Sequence, residues 1–205
     1  MKKPKATGAW NKGKKLPAEP LTANEVIRLI DQCSKRAPTG VRNRALLAVM
    51  WRCGLRCSEA LDLEPRDVDI ATGFVRVRCG KGGKLRVVKV DSTALALVGH
   101  WLAKRDSLGL NGRHKLFPTL KGGRLDARYV RELVARLGRK AGIERRCHPH
   151  ALRHSHASEL SREGKPLALI SQQLGHADLS TTSRYIAKLS PQELSDGLGD
   201  RQWDQ

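Results

Sequence analysis

Apolar residues along this 205-residue chain recur first with helical spacing, then briefly with a period of two, then with helical spacing again. Val26, Ile27, Ile30 and Cys33 line one face of a predicted first helix, which Thr22 and Glu25 open as a capping box. A second helix is predicted from about Arg42 through Leu46, Leu47, Val49, Met50 and Cys53, ending at Gly54. A short helix follows, with Ser58 near its start and Leu61 inward. The period then switches: Val75, Val77 and Cys79 alternate with Arg76 and Arg78, residues 80–84 turn, and 85–90 return. This reads as a two-stranded hairpin with a glycine-rich tip. Helical spacing resumes at Leu95, Val98 and Leu102, and again at Val130, Leu133, Val134, Leu137 and Ala141. Three more helices are predicted near 149–163, 166–174 and 179–188; Pro149 and Pro166 suit first turns, Gly164 and Gly175 suit stops. The expected fold is mainly α (α+β): a helical domain interrupted once by a small antiparallel β-sheet, with no internal repeat.

Composition changes that picture by adding a partner. Lys and Arg number 39 against 20 Asp and Glu, a net charge of +19, with a pI near 10.4. Such an excess repels itself unless a polyanion relieves it, so nucleic acid is the leading partner. A solubilising surface or a ribosome-associated role would explain the charge equally well, but nothing else in the chain. Residues 1–20 carry Lys2, Lys3, Lys5, Lys12, Lys14 and Lys15 before the first acid, Glu19, and read as a flexible basic arm suited to tracking phosphates. The five cysteines are an odd number scattered through apolar stretches, which fits reduced thiols and a cytoplasmic, nucleoid-associated location. No apolar run approaches the ~18 residues of a spanning helix, and no membrane partner is expected.

Four stretches have the composition for metal-free phosphodiester exchange, which needs a nucleophile, cations on the non-bridging oxygens and an acid for the leaving oxygen. Arg56 follows a glycine break in Gly54-Leu55-Arg56-Cys57-Ser58-Glu59-Ala60. Lys81 and Lys84 sit in the hairpin tip Gly80-Lys81-Gly82-Gly83-Lys84. In His148-Pro149-His150-Ala151-Leu152-Arg153-His154, His148 suits an N-cap, and His150 and Arg153 share a face near a helix N-terminus, where anions are favoured. His176 follows Gly175, and Tyr185, one of only two tyrosines, comes nine residues later. His150 and His154 have i, i+4 spacing, but neither a glutamate between them nor a nearby cysteine pair completes a zinc site.

Taken in order, these stretches resemble the catalytic domain of tyrosine recombinases, the phage-integrase type, over roughly residues 21–189. GLRCSEA is similar to that family's first arginine box, HPHALRH to its His-x-x-Arg box, LGHADLSTTSRY to its histidine-to-tyrosine stretch, and the GKGGK hairpin to its lysine-bearing turn. The resemblance implies that Arg56, Arg153 and His176 hold the scissile phosphate and that Lys81, rather than Lys84, protonates the leaving 5′ oxygen. It further implies that His150 helps take the proton of Tyr185, the nucleophile of a 3′-phosphotyrosyl intermediate. No cofactor and no metal are implied. The implied partners are double-stranded DNA and further copies of the chain, as a tetramer on synapsed DNA, with residues 190–205 as a docking tail. An accessory DNA-bending protein is left open. Most members carry a helical core-binding domain where this chain has its basic arm, so the resemblance is to the short form typified by fimbrial inversion recombinases. A topoisomerase-like strand-passing enzyme and a non-catalytic DNA-binding protein that keeps the fold are the alternatives.

Overall fold

The predicted capping box is present: Thr22 Oγ1 accepts from the Glu25 main-chain N–H, and the Glu25 carboxylate accepts from that of Thr22, opening α1 (Ala23–Asp31). The computed structural model describes residues 20–78 and 85–175. Expectations placed on residues 1–19, on the turn at 79–84 and on 176–205, with Lys81, Lys84, His176 and Tyr185 among them, lie outside the described residues. The inner stripe of α1 is Val26, Leu29 and Ile30, with Cys33 just beyond it. Ile27, assigned to that stripe from sequence, is instead 47% exposed. It lies about 100° around the helix from Val26, whereas Leu29 and Ile30 flank Val26 at helical spacing.

Helix α2 (Pro38–Arg52) begins at Pro38, earlier than the predicted Arg42, because proline fits the first helical position. Its start was hidden by Arg42 and Asn43, polar side chains that prove to be buried. Arg42 donates to the Pro118 carbonyl (2.9 Å), to Asn43 Oδ1 (2.9 Å) and to the Tyr129 hydroxyl (2.9 Å), so its desolvated charge is fully engaged. Helix α2 is the central element, packed against α1, α3 (Cys57–Asp62), α4 (Ser92–Ser107) and α6 (Pro149–Arg162). Leu46, Leu47 and Met50 on it have no exposed surface, each contributing about 2 kcal/mol by burial.

The sheet corrects the expectation of two strands. A 3-10 turn (Pro65–Asp67) leads into β1 (Val68–Asp69), which pairs antiparallel with β2 (Phe74–Arg78), which in turn pairs with β3 (Leu85–Lys89), in the order β1-β2-β3. Two residues are too few to display a period of two, so β1 had no sequence signature. Val75, Val77 and Val88 form the buried face. The register pairs Val77 with Arg86, which places a cation on that same face.

Asp91 and Asp126 cap α4 and α5 (Ala127–Lys140), and α5 buries the predicted Val130, Leu133, Val134 and Leu137. His148 caps α6 as expected, its Nδ1 accepting from the Ala151 N–H (3.2 Å), with Pro149 in the first turn. Pro166 stands just before α7 (Leu167–Leu174), not inside its first turn. Gly175 ends α7 in the left-handed region. Among the described residues no helix is long and apolar enough to cross a membrane.

Candidate active site

The site forms where α2 ends and α3, α6 and α7 meet. Gly54 terminates α2 with φ of +61°, and a Cβ there would lie 2.7 Å from Leu174 and 2.9 Å from His156. Only glycine satisfies both the left-handed turn and that close approach. The turn delivers Arg56 to the N-cap of α3, with 46% of its side chain exposed.

Three residues later Glu59 is buried, and its carboxylate organises the whole cluster. It accepts from the Arg56 main-chain N–H (2.8 Å) and from Arg56 Nη1 (2.9 Å). It also receives the Arg86 guanidinium in a fork, Nη1 to Oε1 at 3.0 Å and Nη2 to Oε2 at 2.9 Å. Burial alone would raise the Glu59 pKa, but hydrogen bonds from Arg86 and Arg56 outweigh it and hold the carboxyl below its usual range. Arg153 Nη1 stands 4.0 Å from the same carboxylate. Three guanidiniums therefore share one carboxylate, an excess of two positive charges at one junction.

Arg153 itself is 2% exposed. Its Nη1 donates to the Gly54 carbonyl (2.5 Å) and its Nη2 to the Leu174 carbonyl (2.7 Å), tying α6 to the ends of α2 and α7. His150, one turn earlier on α6, lies toward the surface, edge-on to His154 with ring centroids 4.4 Å apart. Desolvation, then Arg153, His148 and Arg56, lower its pKa, so the imidazole is held neutral near pH 7 and able to accept a proton. His150 and Arg56 line one cleft of about 510 Å³, together with Cys57, Arg131, Arg146 and His148.

Of the six sequence-predicted site residues, Arg56, His150 and Arg153 are thus brought to one junction from α3 and α6. Lys81, His176 and Tyr185 lie outside the described residues. The last described residue, Gly175, abuts the cluster: a Cβ on it would fall 2.8 Å from Arg86 Cδ. Sequence reasoning missed Glu59 and Arg86. The i, i+3 spacing of Arg56 and Glu59 was one signal, and a charge on the inward face of β3, in phase with Val88 and Val90, was the other. Among the described residues no group of three or more His, Cys, Asp or Glu side chains converges as a metal site.

The sequence profile of the Phage integrase family matches residues 19–191. The chain belongs to that family. It is 41% identical over 172 residues to tyrosine recombinase XerC of Xanthomonas campestris pv. campestris, covering 84% of this chain and 52% of that protein. With XerC of Serratia marcescens the identity is 41% over 148 residues, 72% of this chain and 48% of the relative. The crystal structure of XerA recombinase matches with a TM-score of 0.78 at 32% identity, over 88% of this chain and 64% of that one. XerH site-specific recombinase bound to palindromic difH substrate, a post-cleavage complex, matches with a TM-score of 0.75 at 31% identity, over 90% and 53%. The chain spans about half the length of the curated relatives it matches.

This phage-integrase-family chain has two tyrosines, and the fold accounts for one. The Tyr129 hydroxyl accepts from Arg42 Nη2 and Asn43 Nδ2, each at 2.9 Å, and its ring lies under the Arg42 guanidinium at 5.3 Å. Those bonds fasten α5 to α2, and they occupy the hydroxyl in a structural role.

Proposed function

We propose that the chain is the catalytic part of a site-specific DNA recombinase or integrase that breaks and rejoins double-stranded DNA through a 3′-phosphotyrosyl intermediate. The observation that carries this reading is the cation excess around Glu59, opening through Arg56 onto a cleft with a neutral His150. Arg56 and Arg153 hold the non-bridging oxygens of the scissile phosphate, aided by His176 from the stretch after Gly175. Tyr185 is the nucleophile. Its oxygen attacks phosphorus, His150 takes the phenol proton, the bond from phosphorus to the 5′ oxygen breaks, and Lys81 supplies the proton to that oxygen. A 5′-hydroxyl from another strand then attacks the phosphotyrosine in reverse, releasing Tyr185 and restoring a phosphodiester. Guanidiniums stabilise the transition-state charge, so neither a metal nor a nucleotide cofactor enters either step. The basic arm of residues 1–20 tracks DNA beside a catalytic domain at 21–189, and residues 190–205 dock onto a second copy in a tetramer on synapsed DNA.

The structures of XerH with DNA, in pre-cleavage and post-cleavage complexes, support carrying this chemistry over. A nicked suicide duplex bearing a site selected from a randomised pool is the direct test. Wild type should give a detergent-stable protein–DNA adduct, undiminished in excess EDTA, whose tryptic phosphopeptide contains Tyr185. Tyr185→Phe should bind the duplex and give no adduct. An adduct on Tyr129, or a metal-dependent one, would overturn the assignment, and binding without any adduct would favour the non-catalytic alternative.

A further inference from the structure

The cleft at Arg56 and His150 holds more positive charge than one phosphate uses. Arg131 reaches it from α5, and Arg146 and His148 reach it from the loop before α6. Among the described residues no acidic side chain lines this cleft. Neighbouring arginines have acidic partners: Arg128 pairs with Glu132 at 2.8 Å, Arg145 with Glu25 at 3.2 Å, and Arg56 shares Glu59 at 2.9 Å. Arg131 and Arg146 are both exposed and make no ion pair among the described residues. Their fields already register on the cleft. Beyond the effect of burial, Arg146 lowers the pKa of His148, and Arg131 opposes the burial that raises the Cys57 thiol. Unpaired cations crowded around one concavity repel each other and attract a polyanion.

We infer that Arg131 and Arg146, with His148 between them and the scissile-phosphate seat, form a second seat that holds a neighbouring phosphate of the same DNA strand. The inference rests on the recombinase reading for the identity of the first seat. Its extent is bounded on the page. A second groove of about 520 Å³ shares Arg131, Arg146 and His148 and runs on toward Arg139 and Arg145, but Glu132 and Glu144 line it too. The seat therefore ends at Arg146, and Arg139 lies beyond it. Two phosphates fixed side by side orient the strand, so that the bond to be broken faces Tyr185's attack; Arg131 and Arg146 are positioning residues. Phosphate contacts of this kind set register without reading sequence.

The test uses the full chain and a short duplex of random sequence, with affinity followed by fluorescence anisotropy between about 50 and 200 mM salt. The double variant Arg131→Gln with Arg146→Gln should make the logarithmic salt slope shallower by about 0.9, the loss of one phosphate contact, and each single variant should give part of that change, with unchanged thermal unfolding. Arg139→Gln removes the same charge outside the seat and should keep the wild-type slope. Bound duplex should shield Cys57 from alkylation in wild type, read by peptide mass, and shield it less in the double variant. A double variant with the wild-type slope, or Arg139→Gln matching Arg131→Gln, would overturn the seat. The Tyr185 adduct assay separates the two readings. An adduct with unchanged slopes removes only the second seat, whereas altered slopes without any adduct keep the seat as a DNA contact and remove the recombinase.

Discussion

The site has two halves built from the same residue type and put to opposite uses. In the inner half, Arg153 is buried and the Arg86 side chain is only 9% exposed, and they donate to the Gly54 and Leu174 carbonyls and to Glu59. In the outer half, Arg56, Arg131 and Arg146 are exposed around an open cleft, and only Arg56 has an ion pair there among the described residues. A guanidinium tied to backbone carbonyls or to a buried carboxylate sets where the backbone goes, and under the proposed function Arg153 does so beside the phosphate it also holds; an exposed one is held ready for an incoming anion. The difference teaches that charge alone does not mark a ligand contact. Where the hydrogen bonds of each cation end separates architecture from binding, and Glu59 is the joint between the halves, because it grips Arg86 inside and Arg56 outside.

Breaking the inner half should have the largest effect. Glu59→Gln keeps the shape of the side chain but leaves Arg86 and Arg153 beside a neutral amide, and removing one partner of a buried ion pair costs about 3–5 kcal/mol. Urea unfolding should report a loss in that range. A loss below 1 kcal/mol would show that the inner cations are held without the carboxylate.

A second inner residue makes stability depend on pH. His156 is 6% exposed, its Nε2 has no hydrogen-bond partner among the described residues, and burial, then Arg52 and Arg153, push its pKa down to about 4. The unfolded chain, with an ordinary value near 6.5, binds the proton more readily. Stability is therefore intact above pH 6.5, falls as pH drops from 6.5 toward 4, and levels off below that, a loss of about 3 kcal/mol in all. His156→Phe should flatten that limb. A parental slope retained in the variant would assign the acid sensitivity to other groups.

The smallest effect sharpens the outer half. In the free protein His150 should titrate below the ordinary histidine value, since desolvation and its cationic neighbours disfavour the imidazolium. Bound duplex DNA should move the midpoint upward, because a phosphate offsets Arg153, His148 and Arg56. An imidazole NMR titration unchanged by DNA would place the phosphate away from His150.

Arg56 and His150 of the outer half and Arg153 of the inner half were legible in the sequence. Arg56 follows a glycine break, and His150 and Arg153 lie a helical turn apart after an N-cap; all three depend on local spacing that a sequence displays. The rest of the inner half was less so. Arg86 matters because strand pairing turns it inward to meet an acid 27 positions earlier, a long-range relation with no local period. Glu59 looked like a capping residue because it is one, and its grip on Arg86 appears only in three dimensions. The start of α2 was obscured for a related reason. Arg42 and Asn43 break the apolar pattern there, and the partners that let them be buried, Tyr129 and the Pro118 carbonyl, are distant in sequence.

The division between a holding half and an acting half is tested most directly at Arg56, measured for stability and for cleavage in the same preparation. Arg56→Ala removes an exposed side chain whose ion pair contributes at most about 1 kcal/mol, so the urea midpoint should barely move. Single-turnover formation of the Tyr185 adduct on a suicide duplex should slow by ~10²-fold or more, as for loss of a preorganised transition-state donor. A variant that loses several kcal/mol of stability while cleaving at the wild-type rate would contradict the account, because Arg56 would then belong to the architecture and not to the chemistry.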